Sequence, residues 1–169
     1  MQGCIAVLNA GSSSLKFALY DAANEGAALF RGQIEEIGLA PRLSATDATG
    51  AVVAERNWDS AALDHRTAVA EILQLGQSLL RGRPLVAFGH RVVHGGMVFA
   101  APVRIDASVR ARLAELVPLA PLHQPHSLAP IDYIAGAAPQ LAQVASFDTA
   151  FHREQPSLAQ QCALAREVS

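Results

Sequence analysis

The sequence is poor in aromatic side chains, cysteine, charged residues and long apolar runs. Of its 169 residues, 5% are aromatic and 17% are charged. No apolar run approaches the ~20 residues that a membrane span requires, and the start lacks the basic segment of a signal peptide. The two cysteines, Cys4 and Cys162, lie far apart, which favours reduced thiols. These absences predict a cytoplasmic protein.

The numbers of positive and negative charges are also nearly equal. The chain has 13 basic and 15 acidic residues, for a formal net charge of −2. That balance shows no electrostatic footprint for nucleic acid or for an anionic membrane, and we expect neither as a partner. The hydrophobic fraction is 51%, and a chain of this length can bury ~70% of its unfolded surface. We therefore predict one globular domain over residues 1–169 that needs no disulfide or metal to fold.

The apolar pattern changes its period along the chain. Alternating or short apolar runs predict strands over 3–8, 15–20, 28–37, 85–89 and 144–147, with a hairpin over 44–55. A helical period predicts helices over 61–80, 106–117 (with Asp106 as N-cap) and 127–137. Hairpins followed by alternating helices and strands indicate an α/β domain with a mixed sheet.

The turn between the first two predicted strands has the composition of a phosphate site. Asn9-Ala10-Gly11-Ser12-Ser13-Ser14-Leu15-Lys16 combines an amide, three hydroxyls and an ammonium. Lys16 is the only lysine, and Gly11 would let backbone N–H groups approach an anion. The segment does not match the Walker pattern. A solvated, serine-rich hairpin turn is the alternative interpretation.

A second polar segment, His90-Arg91-Val92-Val93-His94-Gly95-Gly96, follows the strand predicted over 85–89. Arg91 suits a bidentate grip on a carboxylate or phosphate, and the glycines allow a close approach. His90 and His94 are four residues apart, but zinc needs a third protein ligand. We predict hydrogen-bonding roles for these two histidines.

Two further residues are candidates for chemistry. His123 lies between Pro121 and Pro125 on a predicted stiff loop, where a catalytic role and a half-exposed loop position are equally compatible with the pattern. Asp148 follows Phe147 at a strand end, a usual place for a metal-binding or catalytic carboxylate in an open α/β sheet. The alternative for Asp148 is a helix N-cap or turn residue.

Taken together, four segments resemble the acetate kinase family in order and spacing over essentially the whole chain. They are Asn-x-Gly-Ser-Ser-Ser-Leu-Lys near the N-terminus, Gly-His-Arg-Val-Val-His-Gly-Gly near 90, Leu-Ala-Pro-Leu-His near 120 and Phe-Asp-Thr-Ala-Phe-His near 150. The resemblance implies one of the two domains of the superfamily that contains acetate and sugar kinases, Hsp70 and actin. Such domains have a ribonuclease H-like mixed sheet with flanking helices.

The resemblance also implies roles for the polar turn and the strand-end carboxylate. Asn9 and Asp148 would organise Mg²⁺, the metal cofactor, while Ser12, Ser14 and Lys16 would lie near the phosphates of ATP.

Acetate would contact a second group of residues. By the same resemblance Arg91 would hold its carboxylate, and Val93 and Leu122 would line a small pocket for its methyl group. His123 would contact the transferred phosphoryl group, which makes Asp148, His123 and Arg91 the catalytic residues. One departure lies beside them, Gln124-Pro125-His126-Ser127, where the family often has Asn-Pro-Ala-Asn.

The implied reaction is reversible transfer of a phosphoryl group from ATP to acetate, which gives acetyl phosphate and ADP. A propionate or butyrate kinase of the same family is one alternative, and a catalytically dead phosphate- or partner-binding half-protein is another. Family members are more than twice as long as this chain. We therefore expect an N-terminal domain without the C-terminal nucleotide-binding domain, through which the full-length family forms homodimers, and no activity from this chain alone.

Overall fold

The part of the chain that the structure describes forms one mixed eight-stranded sheet with three α-helices against it. The structure is a computed structural model that describes residues 3–24, 26–59 and 63–152. The strands are β1 (Cys4–Ala10), β2 (Leu15–Asp21), β3 (Ala28–Glu35), β4 (Arg42–Asp47), β5 (Val52–Asn57), β6 (Leu85–Val92), β7 (Val103–Arg104) and β8 (Ala142–Phe147). The helices are α1 (His65–Leu80), α2 (Ala107–Glu115) and α3 (Gln124–Ala137), and short 3₁₀ turns cover Val117–Leu119 and Asp148–His152.

The strand order is β5-β4-β3-β2-β1-β6-β8-β7. Strands β1 to β5 form an antiparallel meander, whereas β6 lies parallel to both β1 and β8. The short β7 is the edge strand and pairs antiparallel with β8. The predicted mixed α/β sheet with flanking helices is therefore confirmed.

The three helices cover one face of the sheet. Leu8, Leu15 and Phe88 point from the strands toward Val69 of α1 and Ile134 of α3, and all five are buried. A second cluster packs α2 and α3 against the ends of β6 and β8; its buried members are Val92, Leu113, Leu128, Ile131, Ala145 and Phe147. Because side chains alternate along a strand, the residues between these apolar positions project from the opposite face.

The predicted strands are all present, although some bounds differ: β3 ends at Glu35 rather than at 37, and β8 begins at Ala142 rather than at 144. One further difference changes the position of two polar residues. The strand predicted over 85–89 continues to Val92, so His90 and Arg91 belong to β6 rather than to a loop after it. Alternation explains the extension, because His90 is buried on the helix side while Arg91 is exposed on the other face. The two-residue strand β7 was not predicted, since so short a pairing leaves no period in the sequence.

The helix predictions are right in existence but need corrections at their ends. α1 begins at His65 rather than at 61, because Asp64 caps it by accepting a 2.7 Å hydrogen bond from the Thr67 N–H; residues 61 and 62 lie outside the described residues. The N-cap of α2 is Asp106, as predicted, but the helix ends at 115 rather than 117.

The third helix begins earlier than predicted. α3 begins at Gln124 rather than at 127, because Pro125 lies in the first turn, where a missing N–H costs nothing. The loop predicted over 119–125 therefore ends at His123, which is the N-cap residue of α3.

In the described ranges no helix has both the length and the apolar character that crossing a bilayer would demand. Cys4 is a buried free thiol, and burial raises its pKa. Cys162 lies outside the described residues. The cytoplasmic location stays a prediction of the sequence.

Candidate active site

A row of polar side chains crosses the sheet on the face opposite the helices. Cross-strand pairing places Asn9 beside Lys16 on one side and beside Arg91 on the other. The row continues through neighbouring strands in the order Ser44, Gln33, Lys16, Asn9, Arg91, Ser146. Residues far apart in the sequence thus share one transverse line on the sheet.

Arg91 lies at the centre of this face and is held by two side chains. Its Nε and Nη2 groups donate to the two carboxylate oxygens of Asp148, at 2.8 and 2.6 Å. Its Nη1 group donates to Oδ1 of Asn9 at 3.1 Å. The Asp148 hydrogen bond raises the pKa of Arg91. The structure therefore brings Asn9, Arg91 and Asp148, which are predicted site residues, into direct contact.

The Arg91–Asp148 pair is open to solvent, with side-chain exposures of 51% and 38%. An exposed ion pair contributes little to stability, so its main consequence is geometric. A guanidinium has five N–H donors, and three of them are used in these contacts. Among the residues that the structure describes, no partner takes the other two N–H groups of Arg91, so these groups can bind another anion.

Asp148 stands directly after β8 and begins the 3₁₀ turn Asp148–His152. Asp148 is therefore a turn residue, as one of the two alternatives from the sequence has it, and its carboxylate also contacts Arg91. The neighbouring Thr149 accepts a 3.0 Å hydrogen bond from the Gly95 N–H through its hydroxyl oxygen. This bond ties the segment after β6 to the segment after β8.

Asn9 and Asp148 supply an amide oxygen and a carboxylate, which are the hard oxygen donors that Mg²⁺ prefers. Each Asp148 oxygen accepts one hydrogen bond from Arg91 and retains lone pairs for another contact. In residues 3–24, 26–59 and 63–152, no group of three or more His, Cys, Asp or Glu side chains is arranged to hold a metal. The residues thus fit part of a magnesium site, of the kind that bound phosphates complete.

The serine-rich turn is a closed hairpin turn. The Gly11 N–H donates to the Ser14 carbonyl oxygen at 2.8 Å, and the Ile37 N–H donates to the Ser13 carbonyl at 3.0 Å. The four-residue turn between the paired strands therefore uses the N–H of Gly11 itself, and the approach of other backbone N–H groups to an anion stays a prediction. Ser12 is exposed and Ser14 half-buried, so hydroxyl groups remain as donors there.

His90 and His94 form structural hydrogen bonds, as predicted. The buried His90 donates through Nε2 to the Gln143 side-chain oxygen at 2.8 Å. Burial lowers the pKa of His90 to about 4, against a smaller opposing contribution from the Gln143 hydrogen bond. His94 accepts from the Gly96 N–H through Nδ1 at 2.9 Å.

Gln124 joins two predicted parts of the site, and sequence reasoning missed it. Its buried amide oxygen accepts from the His94 N–H at 3.2 Å, and its nitrogen donates to the His94 carbonyl at 3.1 Å. The segment with Val93 is thereby tied to the segment with Leu122 and His123. Val93 is half-buried, while Leu122 and His123 are exposed. A buried amide among apolar neighbours gives no pattern in a single sequence.

Two further histidines, His65 of α1 and His126 of α3, connect the serine-rich turn to α3. The sequence predicted no role for either, and His126 was noted only as part of the departure from the family pattern. His65 donates through Nε2 to the Gly11 carbonyl oxygen at 2.8 Å. Its ring lies against the ring of His126, with centroids 4.6 Å apart. Burial lowers the pKa of His126, and the charges of His65 and His123 lower it further.

A cavity of about 460 Å³ opens beside the polar row on strands β1 to β4. Its lining includes Asn9 and Lys16, together with Tyr20, Arg31 and Thr46. Arg31 is a second cation in the lining of this cavity, beside Lys16, and the sequence gave no reason to select it. The cavity combines positive charge, hydroxyl groups and an amide, and these groups suit a phosphate-bearing ligand.

Solved structures of two kinases have this fold. An acetate kinase from Porphyromonas gingivalis superposes with a TM-score of 0.83 at 35% identity, over 98% of this chain and 42% of its own. A propionate kinase from Francisella tularensis superposes with a TM-score of 0.78 at 31% identity, over 98% and 42%. This chain therefore has an α/β fold that is shared with one part of these two kinases.

The sequence comparison is more specific. The profile of the Acetokinase family matches residues 4–169. The acetate kinase of Rhizobium meliloti is 45% identical over 148 residues, which is 87% of this chain and 38% of that protein. This chain belongs to the acetokinase family. It spans about two fifths of the length of the relatives that it matches.

Proposed function

We propose that this chain is the N-terminal domain of an ATP-dependent acetate kinase and supplies the site for the acceptor carboxylate. The observation that carries the proposal is the position of Arg91. Asp148 and Asn9 fix its guanidinium on the open face, and two N–H groups remain for a carboxylate. Family membership supports a phosphotransferase activity, and acetate is the acceptor that the relatives' names indicate.

The chemistry requires no general base on this chain. A carboxylic acid with a pKa of ~4 to 5 is ionised at neutral pH, so its oxygen can attack the γ-phosphorus of ATP as the bond to ADP breaks. The barrier lies in bringing two anions together in line, which makes positioning and charge the main contributions. Asp148 then orders Arg91 rather than removing a proton.

The serine-rich turn and β2, the strand after it, bind the phosphate groups of ATP. Lys16 supplies a compact cation one strand away from Asn9, and the hydroxyl groups of Ser12 and Ser14 add donors. Bound Mg²⁺ would neutralise part of the phosphate charge, and Asn9 and Asp148 would hold it.

The acceptor pocket involves the segments that Gln124 links. His123 donates to the transferred phosphoryl group, while Val93 and Leu122 contact the methyl group of acetate. The hydrogen bonds between Gln124 and the His94 backbone support this assignment, because they keep the two segments adjacent.

A propionate kinase is the second candidate, since such an enzyme shares the fold at 31% identity. One methylene group is worth only ~1–3 kcal/mol of discrimination, so a small change in the pocket would change the preference. The half-protein without catalysis remains a third outcome for the test below to distinguish.

The test uses a two-domain enzyme in which residues 1–169 are followed by the C-terminal remainder of the Rhizobium meliloti acetate kinase. ADP release is measured with acetate, propionate and butyrate as acceptors. We expect acetate to give the highest kcat/KM. A higher value with propionate would establish the second candidate, and a folded protein that binds ATP but uses no acceptor would contradict the kinase assignment.

Val93→Ala provides the specificity arm of this experiment. Because it enlarges the proposed pocket, the propionate-to-acetate ratio of kcat/KM should rise by about 10-fold. Val53→Ala, an exposed valine on β5, is the matched control and should leave the ratio unchanged. A constant ratio in Val93→Ala would mean that Val93 only packs the core.

A further inference from the structure

We propose that His65 is a positioning residue, which fixes the serine-rich turn (residues 11–14) and, through its ring contact with His126, sets that turn relative to the helix that begins beside His123. The inference rests on the proposed function, since it assigns the turn to phosphate. It adds His65, which is not among the predicted site residues. It also connects the serine-rich turn to the segment that contains His123.

The first contact is the hydrogen bond from His65 Nε2 to the Gly11 carbonyl, at 2.8 Å. A carbonyl oxygen only accepts, so this nitrogen carries the proton. Residues 54 positions apart are joined here, so the bond is a tertiary contact between α1 and the turn. The Gly11 N–H already closes the turn onto the Ser14 carbonyl. Both backbone polar groups of Gly11 are therefore hydrogen-bonded, and the two bonds stabilise this conformation of the turn.

The backbone at His65 is itself held in place by the cap of α1. His65 is the first residue of α1, and Asp64 caps that helix in a reciprocal arrangement with Thr67. The Asp64 carboxylate accepts from the Thr67 N–H at 2.7 Å, and the Asp64 N–H donates to the Thr67 hydroxyl oxygen at 2.9 Å. A capped helix end does not fray, so the imidazole approaches Gly11 from a rigid support.

The second contact joins His65 to α3. The rings of His65 and His126 are 4.6 Å apart and tilted by 33°, within the range of favourable ring packing. His126 lies one turn after His123, whose carbonyl oxygen accepts from the Ser127 N–H at 3.1 Å. A displacement of the turn would therefore be transmitted through two rings to the first turn of α3.

The ring contact needs at least one neutral imidazole. Burial lowers the pKa of His126, and the charges of His65 and His123 act in the same direction. His65 lies between Asp64, the N-cap residue, and Arg66 of α1, which carry opposite charges. At pH 7.5 His126 is thus neutral, and the two rings pack without repulsion.

The test measures phosphate binding by the 169-residue chain. Inorganic phosphate is titrated at pH 7.5, and the backbone amide resonances of residues 11–16 are followed by NMR. His65→Ala removes the hydrogen bond and the ring, whereas His65→Gln retains an N–H donor of similar reach. Gln74→Ala, an exposed position on the same helix, is the matched control.

We expect His65→Ala to weaken phosphate binding about tenfold, which corresponds to the loss of one hydrogen bond, and His65→Gln to restore most of it. His126→Ala should weaken binding as well, while His126→Phe, which retains a ring, should not. These two variants carry the test if His65→Ala does not fold by circular dichroism.

Equal phosphate affinity in wild type, His65→Ala and His126→Ala would overturn the positioning role and leave the proposed function intact. A wild-type chain whose 11–16 resonances do not respond to phosphate would contradict the assignment of the turn itself, and the inference would fall with it.

Discussion

At the scale of single residues, Arg91 is the group on which the proposed substrate binding depends. Its Nε and Nη2 donors engage Asp148 and its Nη1 donor engages Asn9, so the remaining N–H groups have a fixed direction. A lysine ammonium cannot reproduce this planar fork. The role of Arg91 is thus tied to its shape as much as to its charge.

Replacing Arg91 by alanine in the two-domain enzyme should raise the KM for acetate and lower kcat, with a combined loss of ~10²–10³ in kcat/KM. Arg91→Lys should recover little of that loss. Steady-state kinetics with acetate varied measures both constants, and Arg110→Ala, which breaks the remote pair with Asp132, is the control. Unchanged constants would remove Arg91 from the site.

A second residue-scale prediction concerns stability and pH. His90 is neutral and buried, with a pKa of about 4 against 6.5 for an ordinary histidine. Below pH 6.5 the unfolded state takes up a proton that the folded state does not. The stabilising contribution is therefore complete above pH 6.5 and is lost as the pH falls toward 4. The free energy of unfolding should decrease by about 3 kcal/mol from this group.

Urea unfolding of the chain at several pH values between 4 and 7 checks this decrease. The lowered pKa of His126 acts in the same pH range, so the comparison is with His90→Gln, which cannot titrate. The variant should show a shallower pH dependence than wild type. Parallel curves for the two proteins would contradict the assignment.

At the scale of elements, the sheet depends on close contacts that only glycine allows. A Cβ at Gly32 of β3 would collide with Phe17 Cζ and would lie 2.6 Å from the Ser44 carbonyl oxygen, on the two neighbouring strands. At Gly76 of α1, by contrast, a Cβ would meet no atom of the described residues within 4 Å.

Opposite effects are therefore expected from the same substitution at these two positions. Gly32→Ala should destabilise the chain by about 1–3 kcal/mol through overpacking, and Gly76→Ala should stabilise it by about 0.5–1 kcal/mol through helix propensity. Thermal or urea unfolding of both variants measures the sign of each change in stability. A neutral Gly32→Ala would mean that the β2–β3–β4 contact is looser than described.

The elements also show which structural features can be predicted from the sequence. The β1–β2 hairpin and α2 with its Asp106 cap are visible as local patterns, because alternation and capping are short-range effects. The early start of α3 was missed, since Pro125 can end a loop or open a helix. Tertiary contacts were missed for a further reason: the buried Gln124 amide and the His65–Gly11 bond connect segments 30 and 54 residues apart.

The site was predictable where it coincides with motifs. The motif-bearing residues Asn9, Arg91 and Asp148 meet in space. Arg31 lines the cavity beside Lys16 without any motif, because only the register of β2 and β3 places it there. The functional roles themselves stay predictions that the experiments above test.

At the scale of the whole molecule, the chain has its own core, but it holds the residues for only one side of the proposed reaction. Two apolar clusters join all three α-helices to the sheet, which supports independent folding. The polar row lies on the opposite face, where it would meet the remainder of a two-domain kinase. In-line transfer fails when either reactant is unpositioned.

The most direct test is acetyl phosphate formation from ATP and acetate by the isolated chain and by the two-domain enzyme, with circular dichroism to establish folding. The account predicts a folded chain without measurable turnover, and acetate-dependent turnover once the C-terminal remainder is joined. Turnover by the isolated chain near that of the two-domain enzyme would contradict the account, and so would a folded, ATP-binding two-domain enzyme that phosphorylates no carboxylate.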